Sequence, residues 1–356
     1  MKKKKKPVKV ALIGAFGKNA PTTTGRIVRT RILYRELARR YGKKNIIVVS
    51  TEVNSRLRVM TRVIAGVLRA DLIFLFVSEA GIDAFCPVIG KIKQLTGKRV
   101  YNSIIGGYIP TVLKQYPDSV KAMRTFEMNW VQMPSMVPML KSQKIPNAEY
   151  LPNAKPYKAD PGQKLYEYHP GQTIKVCTFS RVLADKGIEE AISAVVNVHN
   201  RGYDVELHIY GEVFEGYRDR FEEILEAVPP YIQYKGIVDY RENLRVLRQY
   251  YVLLFPSVYI AEGFPGTLTD AFFSGTPVIA TDWNYNGQLI EEGVTGFLYD
   301  PSRPDQMAEL LVKAIENPAL IQEMRLHCLK EAEKYTYTKM IRQIFATVNK
   351  DTEPRS

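Results

Sequence analysis

Two carboxylates and two cations stand out, because each lies beside a turn that could bring it to a ligand. Glu262 precedes the loop Gly263-Phe264-Pro265-Gly266, and Asp270 follows eight residues later. Gly263, Pro265 and Gly266 allow a tight turn and close approach of the backbone. Thr267 to Ser274 reads as a helix of about two turns, with Gly275 at its C′ position. The free N–H groups and positive dipole end at the start of such a helix suit a diphosphate. Carboxylates on either side of that point are good acceptors for sugar or ribose hydroxyls. Upstream, Arg181 and Lys186 lie five residues apart in FSRVLADKGIEEAISAV (179–195), at a strand-to-helix turn. Two cations there would neutralise a departing phosphate. Taken alone, the SRVxxxKG pattern reads more readily as a basic loop with an ordinary surface ion pair.

These residues need a scaffold that sets strand ends beside helix starts, and the hydrophobic pattern supplies one. Short apolar runs at 8–14, 45–50, 71–78 and 98–107 alternate with amphipathic stretches. A second series follows at 173–180, 205–211, 231–238, 251–257, 277–282 and 295–300. The alternation implies α/β architecture with parallel sheets, in two doubly wound domains without a close internal repeat. Between the series, residues 146–173 are rich in Pro, Gly, Lys and Tyr, the composition of a linker. The expected division is a domain over 1–155, a linker over 156–172 and a domain over 173–337. A terminal helix from about 338 to 356 is expected to pack back on the first domain. The helix over 25–42 is expected to turn Ile27, Tyr34, Leu37, Ala38 and Tyr41 inward and Arg29, Arg35 and Arg39 outward. The helix over 56–69 is expected to bury Leu57, Met60, Ile64 and Val67 or Leu68, leaving Arg58, Arg62 and Arg69 outside.

Composition narrows the function. The 356 residues are 46% hydrophobic and 24% charged, as in an ordinary globular protein. The longest clearly apolar stretch is Leu72 to Val77, far short of the roughly 18 residues a membrane span needs. The basic start MKKKKKPVKV lacks an apolar core of the kind a signal peptide carries. Cys86, Cys177 and Cys328 are scattered and odd in number, so reduced thiols and a cytoplasmic setting are expected. The four histidines form no metal-binding spacing, and no protein-built metal site or cofactor is expected. The net charge of +13 is uneven: residues 1–150 carry +20 and residues 151–356 carry −7. A basic first half points to an anionic partner, such as a phosphorylated substrate or an acidic membrane surface. Nucleic acid is disfavoured by the acidic second half and the lack of a recognisable binding motif.

The stretch 257–282 also carries a family resemblance. Glu262, the following carboxylate, SGTPVIA (274–280) and GVTGFLYDP (293–301) resemble the GT-B-fold retaining glycosyltransferases of group 1 (family 4). In that family the second carboxylate is Glu; here it is Asp270, one methylene shorter. FSRVLADKG resembles the segment whose Arg and Lys grip the donor diphosphate, at Arg181 and Lys186. YKGIV (234–238) resembles the part that meets the base, at Ile237 and Val238. YLPNAKP (150–156) resembles the interdomain link. PTTTGRIVRT (21–30) resembles the loop that faces the acceptor, at Thr24 and Gly25. The resemblance covers most of 8–345 and is strong in the second half.

It implies two Rossmann-like domains facing across a cleft, with Glu262, Arg181 and Lys186 catalytic. Gly263, Phe264, Pro265, Gly266, Thr267 and Asp270 would bind the donor. The implied activity is transfer of a sugar from a nucleotide-sugar to a saccharide or polyprenyl-diphosphate-linked acceptor, with retention, in cell-surface polysaccharide synthesis. Such an enzyme would be cytoplasmic and peripheral to the inner membrane face. An inverting enzyme would want a general base, often His. No histidine precedes His169, which leaves carboxylates such as Glu79, Asp83 and Glu127 in the first domain. The alternatives are a non-catalytic sugar-nucleotide-binding subunit and another GT-B activity such as a nucleotide-sugar epimerase.

Overall fold

A computed structural model describes residues 6–17, 25–52, 55–158, 160 and 162–350. The chain divides into two compact units, Met1–Pro156 with Tyr337–Ser356, and Tyr157–Thr336.

The first unit is built on a parallel sheet of β1 (Val10–Gly14), β2 (Ile46–Ser50), β3 (Leu72–Val77), β4 (Arg99–Ile104), β5 (Met128–Val131) and β6 (Ala148–Tyr150). The strands run in the order β2-β1-β3-β4-β5-β6. Every residue of β1 and of β3 is buried. That is why these strands read as unbroken apolar runs: helices cover both faces of a parallel sheet. Aromatic rings line one face, with Phe74, Tyr101 and Trp130 stacked in succession at 5.3 and 5.9 Å. The helix Tyr337–Lys350 closes over this core with Met340, Ile341, Ile344 and Val348. Tyr337 N donates to Lys155 O at 3.1 Å, and Gln343 Nε2 to Tyr150 O at 2.6 Å.

Both helices with a forecast facing depart from it. Helix Gly25–Tyr41 buries Ile27 and Leu37, and exposes Arg35 and Arg39, but Arg29 is only 1% exposed. Its buried side is rotated toward Arg29, Thr30 and Leu33, because Gly14 lets Thr30 close against the end of β1. Helix Arg56–Arg69 packs through Val59, Val63, Gly66 and Val67, leaving Leu57 and Leu68 exposed. The narrow β-branched stripe and Gly66, which sits against Val49, fit the sheet more closely than the larger side chains would. The outer surface therefore mixes Arg56, Arg58, Arg62 and Arg69 with two leucines.

The second unit carries β7 (Ile174–Phe179), β8 (Val205–Tyr210), β9 (Ile232–Gly236), β10 (Val252–Phe255), β11 (Val278–Thr281) and β12 (Gly296–Tyr299). All pairings are parallel, in the order β12-β11-β10-β7-β8-β9. The strand order reverses between β7 and β10. Residues 157–172, expected as a linker, belong to this unit. Tyr166 and Tyr168 meet Tyr251 edge-on, and Gln163 Nε2 donates to Phe273 O at 3.0 Å. The tyrosines that made the segment look loop-like are what attach it.

One buried group ties this unit's stability to pH. His208 on β8 meets the Tyr250 hydroxyl through Nδ1 at 2.8 Å, and that hydroxyl meets Tyr210 at 2.7 Å. Burial, with Lys235 and Lys175 nearby, pushes the imidazole down from 6.5 to about 4. The unfolded chain then binds the proton first, so the stability supplied by neutral His208 is complete above pH 6.5 and is lost as pH falls toward 4. Thermal unfolding followed from pH 7 to 4.5 should show a shallower decline for His208→Gln than for the parent. Parallel curves would contradict this assignment.

Candidate functional site

The carboxyl ends flanking a strand-order reversal are where doubly wound sheets place ligands. In the second unit these are the ends of β7 and β10, and the chain fastens them together. After β7, Val182 bridges to Val213. A turn over Ala184–Lys186 then leads into helix Ile188–Asn200. Gly187 makes the turn possible: its φ is +70°, and a Cβ there would lie 2.4 Å from Pro256 O, just past β10. Val258 N donates to Asp185 O at 2.8 Å. Thr267 Oγ1 donates to Phe179 O at 2.8 Å, fixing the start of helix Gly266–Ser274 on the end of β7.

This brings three of the sequence-predicted residues together. Lys186, 7% exposed, is hydrogen-bonded to Glu262 Oε2 in an ion pair. Ser257 Oγ donates to the same oxygen at 3.2 Å. Arg181 is exposed, and its guanidinium lies over the Tyr259 ring, 5.5 Å from the centroid. Lys186 Nζ is 4.9 Å from the same centroid. One aromatic ring thus lies against both cations.

Tyr259 escaped the sequence reading, and so did the loop that holds it. Asn284, at φ +51°, donates through Nδ2 to Tyr259 O, Ile260 O and Glu262 O at 3.4, 3.2 and 3.3 Å. Trp283 Nε1 donates to Tyr259 O at 3.3 Å. The only available signal was an Asn-containing turn after a strand, which is common in any α/β protein.

The remaining predicted positions fall as follows. Gly263, Phe264 and Pro265 are buried, and Phe264 packs its ring on Tyr335 at 5.3 Å, so it offers a ligand its backbone. Helix Gly266–Ser274 begins without a side-chain cap and ends at Gly275, which has φ +66°. Asp270 is 2% exposed, and its Oδ2 accepts from Asn243 Nδ2 at 3.1 Å. Burial, reinforced by nearby Asp270, pushes the Tyr157 phenol up. Ile237 and Val238 follow β9, Ile237 being 62% exposed. Gly25 opens a helix of the first unit, and Thr24 lies outside the described residues. Of the first-unit carboxylates, Glu127 pairs with Lys93 at 2.6 Å and accepts from Val100 N. Glu79 accepts from the Tyr116 hydroxyl at 2.9 Å.

Two cations and the amide end of a helix, beside a carboxylate, can hold an anionic leaving group and a polyhydroxyl at once. Two doubly wound units, one with its ligand-binding strand ends so equipped, define the GT-B glycosyltransferase fold. The structure of Anabaena Alr3699/HepE in complex with UDP shares that fold at a TM-score of 0.74 and 15% identity, covering 96% of this chain and 100% of that one. Residues 167–335, which lie within the second unit, match the model for glycosyl transferases group 1. The GtfA subunit of a UDP-N-acetylglucosamine–peptide N-acetylglucosaminyltransferase from Streptococcus gordonii is 31% identical over 50% of this chain and 36% of its own. An alpha-D-kanosaminyltransferase from Streptomyces kanamyceticus is 25% identical over 40% of this chain and 37% of its own. The chain thus spans little more than a third of these curated relatives.

Proposed function

We propose that the protein is a hexosyltransferase that moves a sugar from a uridine-diphosphate sugar to a saccharide acceptor with retention of anomeric configuration and without a metal. The observation that carries this reading is the Lys186–Glu262 ion pair beside Arg181 at the β7/β10 strand ends. A donor diphosphate would take Lys186 from Glu262, and Arg181 would close the charge from the exposed side. The freed Glu262 would then accept from sugar hydroxyls and hold the anomeric carbon toward the acceptor. The amides from Gly263 to Thr267 would meet the phosphate, and the exposed Ile237 with Val238 would offer a surface for the base. Asp270 would reach the ribose if Asn243 gave up its hydrogen bond. In a retaining reaction the departing phosphate can itself take the acceptor proton, so no histidine is needed. The uridine assignment draws on the UDP bound to HepE and on the UDP-N-acetylglucosamine of the streptococcal relative.

NMR of the product, with EDTA present throughout, tests the reaction. A product anomer matching the donor is expected; inversion, or loss of activity with EDTA, would overturn it.

The acceptor side belongs to the basic first unit. Thr24 and Gly25 are proposed to face the acceptor, which we take to be a polyprenyl-diphosphate-linked saccharide of a cell-surface polysaccharide. The arginines of helix Arg56–Arg69, with Leu57 (75% exposed) and Leu68, suit peripheral binding at the cytoplasmic membrane face. No helix of the described residues is long and apolar enough to cross a membrane. Flotation with vesicles rich in anionic lipid should show binding that salt weakens; equal flotation with neutral vesicles would count against it.

A further inference from the structure

The first sheet also reverses its strand order, between β1 and β3, so the carboxyl ends of those strands are its natural ligand position. Arg29 occupies that position. Its guanidinium lies 5.4 Å from the centroid of Phe76, near the end of β3. The helix can come this close because the end of β1 is Gly14, where a Cβ would lie 3.0 Å from Phe76 O and 3.1 Å from Thr30. Arg29 is 1% exposed, and Nε, Nη1 and Nη2 all lack a hydrogen-bond partner.

The unpaired donors do not stop there. Phe76 pairs in register with Ser103 on β4, and Ser103 with Trp130 on β5. Partners in a parallel ladder point to the same face, here the face of the aromatic stack. Ser103 Oγ and Trp130 Nε1 are both buried and both without a partner. A guanidinium brings five N–H donors and an indole brings one, and none of these can accept.

A buried charge without a counter-charge is among the costliest features a fold can hold. Burial lowers the Arg29 pKa to about 10, with nearby Tyr150 opposing the shift, which leaves it a cation at neutral pH. The arrangement therefore calls for an anion. A carboxylate offers two oxygens in one plane, which the guanidinium fork would engage side-on, with lone pairs left over only in that plane. A phosphoryl group offers three, enough for the fork and for the donors from β4 and β5.

We propose that Arg29, Ser103 and Trp130 form a binding site for a phosphoryl oxyanion at the carboxyl end of the first sheet, and that the group it takes is carried by the acceptor. The identity of the carrier rests on the transferase reading above; the site itself does not. Free inorganic phosphate has the same chemistry and serves as the probe.

Thermal unfolding and calorimetric titration with inorganic phosphate, at constant ionic strength, test the site without any turnover. Phosphate should raise the Tm of the wild type by mass action. Arg29→Met should respond less than the wild type, keeping only what phosphate gains at Arg181 and Lys186, and in phosphate-free buffer it should be at least as stable as the wild type, because an uncompensated charge has been removed. Trp130→Phe and Ser103→Ala keep the charge and each remove one donor, so phosphate should bind each about tenfold more weakly, the worth of one hydrogen bond to an ion. They also decide the matter if Arg29→Met does not fold. No response of the wild type, or equal responses of the wild type and the variants, would overturn the site. A second arm identifies the carrier. Phosphate competing with a phosphate-bearing acceptor supports the acceptor's group as occupant. Stabilisation by phosphate that leaves transfer untouched overturns that part and assigns the site to a free ion. UDP binding by the second unit should be unchanged in all three variants, which separates failure of this site from failure of the donor reading.

Discussion

Lys186→Met should lower kcat/KM for sugar transfer by about 10²–10³-fold, the usual loss when one preorganised donor to a developing anion is removed. The effect is large because Lys186 is nearly buried, where a charge interaction is weakly screened. Its neighbour separates charge stabilisation from mere packing. Glu262→Gln removes the carboxylate that Lys186 now satisfies. UDP without its sugar should then bind as tightly as before, or more tightly, while kcat falls because sugar hydroxyls lose their acceptor. If Glu262→Gln weakened UDP and Lys186→Met did not, the two roles would be exchanged. Thermal unfolding of both variants guards against loss of fold, since Met at position 186 leaves Glu262 with Ser257 as its remaining side-chain partner among the described residues.

Arg325→Met should be the most destabilising single change in the second unit. Arg325 lies in helix Pro318–Ala332 and is 1% exposed. Nη1 donates to Gly275 O at 3.0 Å, and Nη2 donates to Tyr250 O at 3.1 Å and Tyr251 O at 2.6 Å. Its guanidinium also lies 5.0 Å from the Tyr166 centroid and 5.9 Å from that of Tyr251. Burial lowers its pKa to about 10, so it stays charged and its three carbonyl partners act as its counter-dipoles. Methionine fills similar volume but leaves those carbonyls without this donor inside the unit. Breaking such a buried set costs about 3–5 kcal/mol. For a unit of this size that is a fall in Tm on the order of 10 °C. A Tm within a degree of the parent would show that other donors satisfy those carbonyls.

Arg29 and Arg325 show where residue type misleads. Both were hidden from a sequence reading because an arginine on an amphipathic helix is ordinarily solvated. Nothing in the local pattern marks one that closes a helix end or faces into a sheet. Strands β1 and β3 were legible because burial on both faces demands continuous apolar runs. β5 and β6 were not, since MNWV and AEY span four and three residues. β5 also carries the buried Asn129, which donates to Met123 O and accepts from Asn102. The facing of helix Arg56–Arg69 slipped because Leu57 and Leu68 are more apolar than the valines that pack. At the candidate site, Glu262 and Thr267 were legible from the loop-to-helix pattern, and Arg181 and Lys186 through the family resemblance of their segment. Tyr259, Trp283 and Asn284 were not, because their importance lies in which carbonyl or ring they meet across the chain.

The proposed transfer depends on cations at the β7 and β10 strand ends taking up the charge of a departing diphosphate. Calorimetric titration of UDP against UMP, on the wild type and on Lys186→Met, tests that most directly. The wild type should prefer UDP, and this preference should fall by about tenfold or more when the lysine is gone. A preference of equal size in both proteins would contradict it.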